Sequence, residues 1–100
     1  MMYTTIKATV PHEKREELLL TCRSMLGPIR REHGCSDCHC SVDIEDENLI
    51  YLRTEWQTKR NLDAHLRSPL FSVLLGAMKL LEKEPEINFV TTATRQVRWK

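Results

Sequence analysis

Cys38-His39-Cys40-Ser41-Val42-Asp43-Ile44, then Glu45-Asp46-Glu47-Asn48, then Leu49-Ile50-Tyr51-Leu52-Arg53-Thr54-Glu55-Trp56: from this stretch the architecture can be read. Cys38, Cys40, Val42 and Ile44 alternate with His39, Ser41, Asp43 and Glu45, the period of a strand with one buried face. Glu45 to Asn48 are polar and make a turn, and Leu49 to Trp56 is a second strand. Two runs joined by a short polar turn form an antiparallel hairpin. The hairpin lies at the centre of a 100-residue chain, so its flanks settle the topology.

On the N-terminal side, Tyr3 to Val10 alternates, with Ile6, Ala8 and Val10 on one face. That is a half-buried strand, and Pro11, which has no N–H to donate, ends it. His12 to about His33 follows as a helix with a stripe of Leu18, Cys22, Met25, Leu26 and Ile29. Glu13, Glu16 and Glu17 near its start and Arg30 and Arg31 near its end suit the helix dipole. Pro28 removes a backbone donor, which predicts a kink or break at Gly27-Pro28, and Gly34 suits the left-handed position after a helix.

On the C-terminal side, Thr58 is an N-cap for a helix through Leu66. Pro69 opens a second helix to about Lys83, with Leu70, Phe71, Leu74, Leu75, Met78 and Leu81 on its apolar side. Glu86 to Arg98 is a last strand, with Ile87, Phe89, Thr91 and Ala93 on one face. The order strand, helix, strand, strand, helix, strand is the ferredoxin-like split βαβ arrangement, an α+β fold on an antiparallel sheet. Residues 1–100 are expected to be one domain. Helices on one sheet face leave the other open, and a second copy of the chain is the simplest cover, so a homodimer is expected.

Fifteen Lys and Arg against fourteen Asp and Glu leave a formal charge of +1, and the basic residues form no long run. This argues against nucleic acid as a partner. No apolar stretch approaches the roughly 20 residues of a membrane span, and the N-terminus lacks the apolar core of a secretory signal. A cytoplasmic protein, away from membranes, is expected.

Cys35, Cys38 and His39 spell Cys-x-x-Cys-His, the pattern of covalent haem attachment, and with Cys40 they offer four metal-ligand side chains within six residues. Structural zinc sites draw ligands from separated pairs, and on an extended segment His39 points away from Cys38 and Cys40. The preferred reading makes Cys38 and Cys40 small apolar residues on the buried strand face, with neither metal nor cofactor.

The run Glu55-Trp56-Gln57-Thr58-Lys59-Arg60-Asn61-Leu62-Asp63-Ala64-His65-Leu66-Arg67-Ser68-Pro69-Leu70-Phe71 resembles the antibiotic biosynthesis monooxygenase family, including its quinol monooxygenase-like members. In that family a strand ends in Glu-Trp or Glu-x-Trp, and the next short helix carries a His ahead of Ser/Thr-Pro and an aromatic residue. Arg31-Glu32-His33-Gly34-Cys35 resembles the family's entry into the second strand, and the Asp43 to Asn48 turn its acidic hairpin turn. Cys38 stands where relatives usually carry a Tyr. The resemblance runs from Tyr3 to about Val97 and implies a dimeric α/β barrel with a pocket between sheet and helices in each subunit. It implies oxidation of a small aromatic or quinol-like substrate by dioxygen without metal or flavin. Other members are isomerases, haem degraders or proteins without known activity. Haem degraders use an Asn, a Trp and a His where this chain has Thr5, His65 and Leu75, which argues against haem degradation. The alternative reading is a non-catalytic small-ligand-binding or stress-associated dimer of the same fold.

Cofactor-free oxygenation needs a base to turn a phenol or enol into an anion that can give an electron to dioxygen. His65 suits that role, because histidine ordinarily titrates near neutrality. Trp56, Tyr51 and Phe71 are candidate aromatic walls, and Glu55 or Arg53 a candidate to orient the histidine or bind a substrate oxygen. Strand alternation puts Arg53 and Glu55 on one face and Trp56 on the other, so the two also read as a surface pair or a dimer contact.

Overall fold

The computed structural model describes residues 1–79, 81, 83 and 85–91. β1 (Met2–Thr9) leads through a 3-10 turn at His12–Lys14 into α1 (Arg15–Arg30). The hairpin strands β2 (Cys35–Val42) and β3 (Leu49–Trp56) follow, then α2 (Lys59–Leu66), α3 (Pro69–Met78) and β4 (Glu86–Thr91). The sheet order is β2-β3-β1-β4 with every pair antiparallel. This is the ferredoxin-like split βαβ topology, an α+β fold.

Alternation builds the core. Met2, Thr4, Ile6 and Ala8 of β1 and Ile50, Leu52, Thr54 and Trp56 of β3 point to the helix side. Leu18, Cys22, Met25 and Ile29 of α1 meet them, joined by Leu62 and His65 of α2 and Phe71, Leu74 and Met78 of α3. Each buried side chain of Leu or Ile size contributes about 1.5–3 kcal/mol, so this stripe fixes α1 on the sheet more strongly than helix propensity does. The two short helices start at capped ends. Thr58 Oγ1 accepts from the Asn61 N–H at 3.1 Å, and Ser68 Oγ accepts from the Phe71 N–H at 3.2 Å with Pro69 at the first turn.

The elements depart from the sequence reading in places, and α1 itself spans Arg15–Arg30 rather than His12 to about His33. α1 runs unbroken through Pro28. The proline sits in the last turn, so the hydrogen bond it forfeits is one of the helix's last, and Arg31 N–H still reaches the Gly27 and Pro28 carbonyls. β2 begins at Cys35 rather than Cys38, with a bulge between Cys35 and Asp37 that interrupts the alternation used to find it. Ile44 is fully exposed in the turn and Val42 is exposed at the strand end, so only Cys38 and Cys40 of the four expected residues pack on the core. α3 stops at Met78, although Leu81 beyond it still packs on the core. β4 is described to Thr91, and the expected strand residues from 92 onward, Ala93 included, lie outside the described residues.

The other sheet face is a grid of polar side chains. Asp37, Glu55 and Tyr3 lie in one cross-strand row, His39, Arg53 and Thr5 in the next, and Ser41, Tyr51 and Lys7 in a third. The Arg53 guanidinium lies 4.7 Å over the Tyr51 ring and donates to Ser41 Oγ at 3.0 Å.

Candidate functional site

The site forms where the end of α1, the end of β3 and the face of α2 meet. After α1 the chain must reverse within a few residues to enter β2. Gly34 does this at φ +80°, and its carbonyl accepts the Gln57 N–H at 2.9 Å, joining the reversal to the end of β3. A Cβ at Gly34 would overlap the Asn61 side chain of α2, so both the backbone conformation and the close helix demand glycine. This turn carries Glu32 under α2.

There, His65 Nδ1 and Glu32 Oε2 are 2.5 Å apart. A carboxylate only accepts, so Nδ1–H is the donor, and the neutral ring keeps its lone pair on Nε2. The imidazole is buried between two aromatic rings. Trp56 stacks on its face at 4.5 Å between centroids and 27° between planes, and Phe71 meets it edge-on at 5.1 Å and 64°. Trp56 is held in turn, because its indole N–H donates to Thr54 Oγ1 at 2.9 Å, and Thr54 is hydrogen-bonded to Thr4 on β1. Carboxylate, imidazole, indole and two hydroxyls thus run from the α1 end into the middle of the sheet.

A pocket of about 480 Å³ opens against this array, lined by Glu32, His33, Trp56, Arg60, Asn61, Ala64 and His65. Its floor is aromatic and its polar groups include one carboxylate and one guanidinium. That volume and that mixture suit a small planar molecule bearing an oxygen substituent.

Residues 1–74 match the model of the family described as antibiotic biosynthesis monooxygenase. The chain belongs to that family. It is 28% identical to a conserved protein from Methanosarcina mazei whose solved structure superposes with a TM-score of 0.86 over 92% of each chain. A candidate antibiotic biosynthesis monooxygenase from Deinococcus radiodurans shares the fold at a TM-score of 0.92 over 100% of both chains, with 17% identity. An uncharacterised protein from Synechocystis is 27% identical over 88 residues, which are 87% of this chain, and the chain spans about 60% of that relative's length.

Within this antibiotic biosynthesis monooxygenase domain, the residues singled out from the sequence divide into two groups. Trp56 and Phe71 each contact His65 on the helix side. Tyr51, Arg53 and Glu55 are on the open face, as alternation requires. Trp56 and Phe71 are both buried in the core, and each sets one ring against the histidine. The residue beside His65 is Glu32, which the sequence reading took only as part of a strand entry. Thirty-three positions separate the two, and no local period links them. The available signal was Gly34, since a left-handed glycine two residues on turns the chain back over its neighbours. His33 and Arg60 at the pocket edge had no signal of their own.

The cysteine motif does not converge. Cys38 is completely buried on the helix side, while His39 is exposed on the other face and 2.8 Å from Asp37 Oδ2. Burial pushes the Cys38 thiol up to about 12, so it stays protonated. Among the described residues no group of three or more His, Cys, Asp or Glu is arranged to hold a metal ion. Among the described residues, too, no helix is long and apolar enough to cross a membrane.

Proposed function

We propose that this chain is a cofactor-independent monooxygenase that oxidises a small quinol-like aromatic with dioxygen, acting as a cytoplasmic homodimer. The observation that carries the reading is the contact between buried His65 and half-buried Glu32 on the wall of a pocket sized for such a molecule. His65 accepts the phenolic proton at Nε2, and Glu32 holds the ring in the tautomer that makes this possible and offsets the charge that develops. The resulting phenolate is electron-rich enough to reduce dioxygen. One oxygen atom enters the ring and the other leaves as water, and the quinol itself supplies the electrons. Arg60 at the pocket edge is the group that attracts the substrate's anionic oxygen. Trp56 and Phe71 hold the imidazole, and Glu32 and Arg60 offset the imidazolium and phenolate charges that the proton transfer creates.

Tyr51, Arg53 and Glu55, together with exposed Tyr3 and Val90, are assigned to the pairing of two sheets. The rows of that face combine Asp37 and Glu55 with Arg53 and Lys7, which gives a second copy both signs of charge to meet.

Oxygen-electrode assays over a panel of hydroquinones and catechols test the reading. We expect one dioxygen consumed per quinol, with His65→Gln abolishing most of the rate while circular dichroism stays native. Binding of the same quinols without any oxygen uptake would sink the oxygenase reading and leave a ligand-binding dimer.

A further inference from the structure

The helix α2 supplies four of the residues that line the pocket, Arg60, Asn61, Ala64 and His65. At about 3.6 residues per turn they share one side of the helix, in the order Arg60, Ala64, Asn61, His65 around it. Arg60 and His65 therefore stand at its two flanks, about 140° apart around the axis and roughly 7.5 Å apart along it. The space between them is clear. Ala64 ends at its Cβ, and the Asn61 side chain is tied back to Thr58, whose hydroxyl donates to Asn61 Oδ1 at 2.7 Å.

The two flanks differ in charge. At the His65 flank the Glu32 carboxylate is held on the imidazole at 2.5 Å. At the other flank Arg60 is exposed, and among the described residues its guanidinium has no hydrogen-bond or ion-pair partner. Arginine is always charged, so Arg60 is the permanent cation among the described residues that line the pocket. An anionic group is repelled from the Glu32 end and attracted to the Arg60 end, where a forked pair of N–H donors matches a carboxylate. A hydroxyl, which donates, is received at the His65 end.

We infer that the pocket selects a hydroxylated aromatic acid, bound with its carboxylate on Arg60 and its hydroxyl on His65, the two substituents being meta or para on the ring. Ortho substituents point the same way and do not span the two flanks. The inference deepens the oxygenase reading and rests on it in taking His65 as the group that meets the hydroxyl. Arg60 then acts on the phenolate through its charge and on the carboxylate through its fork of donors.

Titration calorimetry of the full chain under nitrogen reads binding without turnover. We expect para-hydroxybenzoate to bind on the order of tenfold more tightly than phenol, benzoate or ortho-hydroxybenzoate, the effect of one charge-assisted contact. Arg60→Gln, at an exposed position where glutamine is a good helix former, is expected to bring para-hydroxybenzoate to the affinity of phenol, with circular dichroism unchanged. Arg60→Lys, which keeps the charge and loses the fork, is expected to retain only part of the preference. Equal affinity for phenol and para-hydroxybenzoate, equal affinity for the ortho and para acids, or a preference that survives Arg60→Gln would each overturn the inference. Oxygen uptake separates it from the oxygenase reading. The binding preference without uptake on protocatechuate, the catechol that bears a carboxylate, upholds the inference and sinks oxygenation. Uptake on catechol and protocatechuate with the same KM upholds oxygenation and sinks the inference.

Discussion

An imidazole paired with a carboxylate occurs on both faces of the sheet. On the helix face, the His65 side chain is 2% exposed and that of Glu32 22%, at 2.5 Å. On the open face, the His39 side chain is 64% exposed and that of Asp37 48%, at 2.8 Å. Distance barely separates the pairs, and surroundings separate them completely. The His39 pair is two residues apart on one strand and solvated, so its attraction is screened and worth little. The His65 pair is drawn from distant parts of the chain, stacked between rings and bordered by a pocket, where a fixed charge acts at full strength. A short contact therefore marks a candidate site only when burial and a cavity accompany it.

The comparison can be broken at several levels. The largest effect is expected on turnover: His65→Gln lowers oxygen uptake on a competent quinol about 10²–10⁴-fold, the usual range for a general base, while His39→Gln leaves it within about twofold. Steady-state rates of the two variants, measured side by side, check this. Next is stability. Trp56→Ala removes the ring under His65 and is expected to cost about 3–5 kcal/mol in urea unfolding, and His39→Gln under about 0.5 kcal/mol. Gly34→Ala is expected to cost about 1–3 kcal/mol from its backbone conformation alone, with the overlap on Asn61 adding to that and displacing Glu32. Its histidine chemical shifts would move at His65 and stay in place at His39. The smallest effect is Asp37→Asn, for which a midpoint unchanged within about 0.5 kcal/mol at low and high salt is expected.

Most of the fold was legible because it rests on periods. The alternation of β3 and the stripe Leu18, Cys22, Met25 and Ile29 are each local, and together they specify the order of elements. What the sequence hid was set by contacts beyond any window. The bulge after Cys35 breaks alternation just where the strand begins, and the break expected at Pro28 fails because the helix has almost ended there. Half of the site was readable from the strand end at Trp56 and the capped helix carrying His65. Glu32 was not, because its meaning depends on a partner across the fold. Arg53 and Glu55 lie on the face opposite Trp56, as alternation required of them in the sequence, and Tyr51 shares their face by the same period.

The span between Glu32 and His65 also orders events in time. The β2–β3 hairpin and the first turns of α2 form from neighbours in sequence, whereas this contact closes a loop that contains the whole hairpin. A chain whose α1 end has not yet docked therefore has a histidine but no orienting carboxylate. On the proposed reading, competence arrives late in folding, and a nascent or partly unfolded molecule holds its proposed proton acceptor unaimed.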